Sequence, residues 1–128
     1  MSPPASSQGI EALIDRYCLA WSDPDPVRRA ALVEEVWAPD ATYTDPTVHA
    51  RGAAELVAHI GRVVARRPGA RVVRTSNVDL HHGIVRFAWH LVQADGTALP
   101  DGLDVAELTP DGTRISRIVG FFGPLRQR

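Results

Sequence analysis

Hydrophobic residues follow two different spacings along the chain. In the first half they recur three, four and seven positions apart, which is the spacing of one face of an α-helix. In the second half they alternate with polar residues, which is the spacing of one face of a β-strand. The pattern therefore predicts a group of helices followed by a sheet.

Three helices are predicted in the first half. The first begins at Gly9, and its apolar face would carry Ile10, Leu13, Ile14, Tyr17 and Trp21. The second begins at Asp25-Pro26, an N-cap acid followed by a proline suited to the first helical position, and runs to about Val36. The third spans about residues 52–66 and ends at the proline and glycine that follow it.

Five strands are predicted. A short one, "ATYT" at residues 41–44, lies between the second and third helices and ends at Asp45-Pro46. Four longer strands occupy residues 71–80, 83–93, 103–108 and 114–122. Asp-Gly pairs separate the last three of these, and such pairs are strong signals of a hairpin. We therefore expect an antiparallel meander in the second half.

These elements describe an α+β domain whose sheet curls around three N-terminal helices. With 128 residues the chain has room for a single domain, which we assign to residues 9–128. Residues 1–8, "MSPPASSQ", have no apolar periodicity, so we expect them to form a disordered tail.

Two segments carry a family resemblance. In this order of elements, "VWAPDATYTDP" and "GLDVAELTPDGTRISRIVGFFG" resemble the NTF2-like superfamily, in particular its SnoaL-like and ketosteroid isomerase-like members. The resemblance extends over about residues 9–124. It implies a cone in which a curved, mostly antiparallel sheet wraps around the helices and encloses a cavity. Because this fold serves isomerases, cyclases and non-catalytic modules, the function must be argued from the site.

Three residues match the ketosteroid isomerase pattern. Tyr17 stands at the position of its oxyanion-hole tyrosine, Asp45 at that of its general base, and Asp104 at that of its protonated aspartic acid. The resemblance implies an isomerase without a cofactor that moves a double bond beside a carbonyl group. Asp45 would carry the proton while the other two residues stabilise the dienolate oxygen.

Each of the three residues also has a purely structural interpretation. Tyr17 lies in the apolar stripe of its helix and could be a core tyrosine. Asp45 precedes a proline, and Asp-Pro commonly starts a turn. Asp104 is the most informative of the three, because it interrupts an apolar strand and aspartate is depleted from strands.

The turn at Asp95-Gly96 decides which side chains face the cavity. A two-residue turn would set Phe87 opposite Asp104, among large aromatic residues that raise the pKa of a carboxyl group. A bulged three-residue turn would reverse the faces and bring His90 into the cavity. His90 would then assist an acid in the manner of a SnoaL-like polyketide cyclase, as the resemblance implies.

A small hydrophobic substrate is expected in the cavity. The residues predicted to contact it are Trp21, Tyr43, Phe87, Trp89, His90 and Phe122. The other histidines, interpreted as loop or helix-surface residues without a chemical role, are His49, His59, His81 and His82. The basic run interpreted as a solvated surface consists of Arg62, Arg66, Arg67, Arg71 and Arg74.

Composition narrows the partners and the compartment. The chain is 45% hydrophobic and has a formal net charge of -1, which favours small ligands over nucleic acid or an anionic membrane. The single cysteine, Cys18, fits a reducing cytoplasm, and no His or Cys cluster has zinc-ligand spacing, so we expect no metal or cofactor. A homodimer through the outer face of the sheet is expected. The competing hypothesis is a non-catalytic binding or dimerisation module.

Overall fold

The computed structural model describes residues 7–128. Its three helices are α1 Ser7–Ala20, α2 Pro26–Val36 and α3 Gly52–Arg66. The first begins two residues before its predicted start, so it includes Ser7 and Gln8, the last two residues of the predicted tail. The other residues of that tail, 1–6, lie outside the described residues. The second begins as predicted, because the Asp25 side chain accepts hydrogen bonds from the N–H groups of Val27 and Arg28.

Within residues 7–128, seven strands complete the fold. They are β1 Trp37–Asp45, β2 Val48–Arg51, β3 Arg71–Arg74, β4 Asp79–His81, β5 Ile84–Val92, β6 Gly102–Leu108 and β7 Ile115–Phe122. The first extends well beyond the predicted "ATYT", and β2 lies in a segment for which no strand is predicted. β2 forms because the chain turns directly after Asp45 and pairs back along β1.

The segment predicted as one strand over residues 71–80 forms two, β3 and β4, which both pair with β5. Ser76 lies at the interruption. Its Oγ accepts a hydrogen bond of 2.8 Å from the N–H of Ala88, where a continuous strand would offer a backbone carbonyl. A side chain thus takes the place of one rung of the ladder, and the strand breaks there.

The strands form a single mixed sheet in the order β2-β1-β7-β6-β5-β3, with β4 pairing farther along β5. β1 and β7 run parallel, and the other neighbours run antiparallel. The helices cover one face of this sheet, and the core between them contains Ile10, Ile14, Leu56, Ile60, Phe87 and Ile118. The predicted α+β cone is confirmed. None of the helices within residues 7–128 is long and apolar enough to cross a membrane.

The turn between β5 and β6 has three residues, which is the bulged alternative. Gln93 donates its N–H to the carbonyl of Thr97 at 2.8 Å, so residues 94–96 form the loop. Gly96 has a φ of 90°, in the left-handed region that such a loop needs at its last position. By itself this turn would reverse the predicted pairing of β5 with β6, so that Asp104 would no longer lie opposite Phe87.

A second irregularity restores the pairing predicted for the two-residue turn. Leu99 donates its N–H to the carbonyl of Leu91, yet Gly102 pairs with Trp89. The chain therefore advances three residues from Leu99 to Gly102 but only two from Leu91 to Trp89. The extra residue before β6 is a β-bulge. The bulge returns Asp104 to the cavity face of β6, opposite an aromatic residue of β5.

Candidate functional site

A cavity of about 1040 Å³ lies between the helices and the inner face of the sheet. Buried residues of α1, β1, β5 and β6 form its inner wall: Tyr17, Cys18, Tyr43, Phe87 and Asp104. Exposed residues surround its other end, where the cavity opens to solvent. A concave, mainly apolar pocket with a few polar groups is the usual form of a small-molecule site.

The structure brings the predicted acid/base residues together in this cavity, along with most of the predicted ligand contacts. The residues concerned are Tyr17, Asp45 and Asp104, with Trp21, Tyr43, Phe87, Trp89 and Phe122. The aromatic side chains line the space without filling it. Polar groups and an apolar surface are therefore available to the same ligand.

His90 is not brought to the cavity. Its neighbours Trp89 and Leu91 line the cavity, and alternate residues of a strand point to opposite faces. The ring faces the other side of β5, where its Nδ1 lies 3.4 Å from an oxygen of Asp101. The bulge before β6 is the reason, because it cancels the reversal that the three-residue turn would produce.

Asp104 is a buried carboxyl group, only 4% exposed, on the inner face of β6. Phe87 lies opposite it on β5, and the indole Nε1–H of Trp89 donates to its Oδ1 at 2.9 Å. Burial raises the pKa of Asp104 to about 7, with the Trp89 hydrogen bond opposing the shift and the charge of Asp45 adding to it. The group can therefore change its protonation state near neutral pH.

Two glycines allow this arrangement. A Cβ atom at Gly102 would lie 2.3 Å from the Trp89 ring, so only glycine lets the indole lie flat across β6 and reach the carboxyl group. A Cβ atom at Gly120, opposite Asp104 on β7, would lie 2.8 Å from Oδ1 of Asp104. Both positions lack a side chain where Asp104 and its donor need the space.

Asp45 ends β1 with its carboxylate inside the cavity wall, where the side chain is 3% exposed. Its Oδ2 accepts a hydrogen bond of 2.6 Å from the hydroxyl of Tyr43. Its Oδ1 accepts from the N–H and the hydroxyl of Thr47, at 2.7 and 2.6 Å. Asp45 thus caps its own turn and faces the cavity at the same time, so the structural and the chemical interpretations are compatible.

Tyr17 is buried on α1 and stacks on Trp37 with 6.1 Å between the ring centres. Its hydroxyl has no hydrogen-bond partner of ordinary geometry within residues 7–128. Burial, reinforced by the charge of Asp104, raises the pKa of Tyr17 well above its usual value, so the hydroxyl keeps its proton. The site therefore contains a neutral O–H donor that is not engaged.

His59 is a site residue that the sequence interpretation missed. It is only 7% exposed, and its Nε2 lies 3.9 Å from Oδ2 of Asp45. Burial lowers the pKa of His59, with nearby arginines adding to the effect and Asp45 opposing it, so the ring is neutral at pH 7. Helical spacing could have revealed it, because His59 follows Leu56 by three positions and precedes Val63 by four on the buried face of α3.

Comparisons with known proteins identify structural relatives. No family model matches the sequence, and no curated protein matches it significantly. Among solved structures, a candidate isomerase of the SnoaL-like family from Agrobacterium tumefaciens is 32% identical. The match covers 91% of this chain and 99% of that one, with a TM-score of 0.85.

More distant structures share the fold. A protein with a ketosteroid isomerase-like fold from Catenulispora acidiphila, in complex with trimethylamine, is 16% identical with a TM-score of 0.69, over 87% of this chain and 85% of that one. A candidate SnoaL-like polyketide cyclase from Jannaschia is 15% identical with a TM-score of 0.71, over 94% and 89%. At these identities the similarity concerns the fold alone.

Proposed function

Because the chain belongs to the SnoaL-like family, within the NTF2-like fold, we propose that it is a cofactor-free acid/base isomerase of a small hydrophobic carbonyl compound. The observation that carries the proposal is the Asp104 carboxyl group, only 4% exposed in the wall of an open cavity, where burial raises its pKa to about 7. A carboxyl group that stays protonated near neutral pH can donate a hydrogen bond to a carbonyl oxygen.

In the proposed reaction, Asp45 removes a proton from the carbon next to the carbonyl group. The electrons of that C–H bond move into a dienolate, whose oxygen takes up the negative charge. Asp45 then returns the proton to the far carbon of the dienolate, which places the double bond beside the carbonyl group. Each cycle leaves Asp45 as it began, so the reaction needs no external acid, base or redox partner.

Two donors would stabilise the dienolate oxygen. The Tyr17 proton has no acceptor of ordinary geometry within the described residues, because the indole N–H of Trp21 beside the hydroxyl is itself a donor. When Asp104 is protonated, Oδ1 accepts from Trp89 and the second oxygen is available to donate into the cavity. Donors held in place before the charge develops are the most effective kind, because they need no reorganisation during the reaction. The neutral His59 beside Asp45 adds a hydrogen-bonding ring rather than a cation.

Substitution of the acid/base residues tests the proposal. With a β,γ-unsaturated ketosteroid as substrate, Asp45→Asn should lower kcat about 10³-fold by removing the base, and Tyr17→Phe about 10²-fold by removing a donor. The measurement is the ultraviolet absorbance of the conjugated product. Asp40→Asn is the matched control, because Asp40 is an exposed acid of the same strand that does not line the cavity.

The wild-type rate should also fall as the pH rises through about 7, where Asp104 loses its proton. If Asp45→Asn left the turnover rate unchanged, Asp45 would not be the base and the proposal would be refuted. An α-proton exchange assay on other ketones, including polyketide-like diketones, extends the test to substrates of different shape. A protein that binds such ketones without exchanging their protons would be a binding module instead.

Cyclisation of a polyketide is the second candidate, and the size of the cavity favours it. At about 1040 Å³ the cavity is at the upper end of the range for small-molecule sites, ~300–1,000 Å³, and could hold a folded chain. In an aldol closure, Asp45 could remove the α-proton to form the enolate, whose carbon attacks a second carbonyl group, and protonated Asp104 could protonate the alkoxide that results. His90 has no part in this version, because it faces away from the cavity.

We also propose that two copies associate through the outer face of the sheet. Leu103 and Phe121 are neighbours on that face, 38% and 57% exposed, beside the paired residues Val105 and Val119. A continuous apolar strip of this kind is typical of an interaction surface. Light scattering should give the mass of a dimer for the wild type and of a monomer for Leu103→Lys/Phe121→Lys. A dimer that survives this double change would refute the surface.

A further inference from the structure

The open end of the cavity is defined by the topology of the sheet. β1, β5 and β7 end there and β6 begins there, since β1 and β7 are parallel and β5, β6 and β7 alternate in direction. α3 follows β2, which returns antiparallel to β1, so the last turn of α3 arrives at the same end. The exposed residues that line the cavity there include Arg66, Arg67, Asp95 and Phe122.

Arg66 and Arg67 bring two positive charges to this opening. Neither forms an ion pair within residues 7–128. Arg67 donates from Nη1 to the side-chain oxygen of Gln93 at 3.0 Å, which holds the guanidinium across the opening without neutralising it. The charge of Arg66 also reaches the inner site, because Arg62 and Arg66 both add to the lowering of the His59 pKa that burial causes.

The negative groups nearby do not cancel these charges. Asp95 also lines the opening, but its carboxylate accepts the N–H of Thr97 in its own turn and pairs with no arginine within the described part of the chain. In the last turn of α3, the carbonyls of Val63 and Val64 accept the backbone N–H of Arg67. By contrast, Arg74 of the same basic run is ion-paired with Asp15 at 2.8 Å and Glu11 at 3.4 Å, away from the cavity lining. Arg66 and Arg67 are exposed, as the interpretation of the run as a solvated surface predicts, but they also line the cavity opening.

We infer that the natural ligand is an organic anion: an apolar body that occupies the cavity and an acidic group that pairs with Arg66 and Arg67 at its opening. The inference rests on the proposed function, since it names the chemical class of the substrate for the same cavity. Guanidinium groups bind carboxylate and phosphate through charge-assisted, bidentate hydrogen bonds, and two unpaired ones beside an apolar wall suit an amphipathic acid. A neutral steroid would leave both arginines without a counterion.

Two fluorescent probes with the same apolar skeleton test this inference without any turnover. Anilinonaphthalene sulfonate is an anion, and N-phenylnaphthylamine is its uncharged counterpart. In the double variant Arg66→Gln/Arg67→Gln, the Kd of the anionic probe should rise about tenfold, while that of the neutral probe changes by less than about twofold. Raising the salt concentration should weaken the binding of the anionic probe alone. The neutral probe should displace the anionic probe, because both occupy the same cavity.

Arg62→Gln is the matched control, because Arg62 is exposed on the same helix but does not line the cavity. Equal weakening of both probes by the double variant would overturn the inference, since the arginines would then act only as cavity wall. The inference would also fail if Arg62→Gln weakened the anionic probe as much, or if the neutral probe failed to displace it. Arg66→Lys/Arg67→Lys should restore part of the lost affinity. Because probe binding needs neither Asp45 nor Asp104, its outcome is independent of the acid/base test.

Discussion

Asp45 and Asp104 are carboxyl groups in the wall of one cavity, and both are nearly inaccessible to solvent, but their surroundings differ. Asp45 accepts three hydrogen bonds, from the Tyr43 hydroxyl and from two groups of Thr47. Among the described residues, Asp104 accepts one, from an indole. Donors favour the charged form of a carboxyl group, whereas burial among apolar residues favours the protonated form. Burial alone therefore does not assign their roles; the number of donors does.

The largest effect should come from Asp104→Asn, measured as the free energy of unfolding against pH. An unfolded aspartate titrates near ~3.9, whereas the folded pKa of Asp104 is about 7. Between these two pH values the folded state keeps a proton that the unfolded state has lost. Wild-type stability should therefore fall as the pH rises through this window and then level off. The variant lacks this loss, so above pH ~7.5 it should be more stable than the wild type by up to ~4 kcal/mol.

Near pH ~4 the advantage of Asp104→Asn should shrink towards zero, because both proteins then carry a neutral group at this position. Chemical denaturation at several pH values measures the difference, and Asp40→Asn provides the exposed-acid control. A constant difference across the pH range would contradict the assigned environment of Asp104.

Asp45→Ala should have the opposite sign and a smaller size. Removing the carboxylate leaves the buried hydroxyl of Tyr43 and the N–H of Thr47 without their acceptor, so the variant should lose about 2–3 kcal/mol of stability. Asp40→Ala, an exposed change on the same strand, should stay within ~0.5 kcal/mol. Denaturant unfolding at pH 7 compares them, and a neutral result for Asp45→Ala would mean that its three hydrogen bonds contribute little.

The smallest effect should come from changing the one donor to Asp104. Trp89→Phe removes the indole N–H that opposes the shift, so the pKa of Asp104 should rise further and the fall in stability should extend to higher pH. The added loss at pH ~8.5 should be about 1–2 kcal/mol. Gly102→Ala should move the pKa in the same direction, because its Cβ displaces the Trp89 ring. A carboxyl titration followed by NMR would show an unmoved midpoint if the hydrogen bond were unimportant.

Local sequence signals predicted most of the helices and strands. The bounds of α3 follow from its apolar stripe and the glycine and proline at its ends, and the N-cap of α2 follows from Asp25-Pro26. The break between β3 and β4 was not predictable in this way, because it depends on the Ser76 side chain meeting an N–H of β5, the neighbouring strand of the sheet. Local patterns do not specify which side chain will replace a backbone partner.

The sequence most readily identifies a site residue whose type is unusual in the helix or strand that carries it. Asp104 stands out because an acid interrupts an apolar strand. His59 could be found only through its helical spacing from Leu56 and Val63, and its approach to Asp45 depends on tertiary distances. The indole donor to Asp104 likewise depends on tertiary distances. The pairing of β5 with β6 was predicted correctly, but through two irregularities that compensate each other rather than through the expected turn.

Those two irregularities have a consequence for how such a cavity can diversify. If the bulge straightened with every residue retained, regular pairing from the three-residue turn would set Leu103 opposite Phe87, and the acid would move to the outer surface. Loss of one residue between Leu99 and Gly102 would remove the bulge without this change, because Gly102 would still pair with Trp89. The conformation of one exposed connection, with every strand residue unchanged, therefore decides whether the cavity wall is acidic or apolar. Substitutions that straighten this bulge are a short evolutionary route between catalysts and carriers on one scaffold.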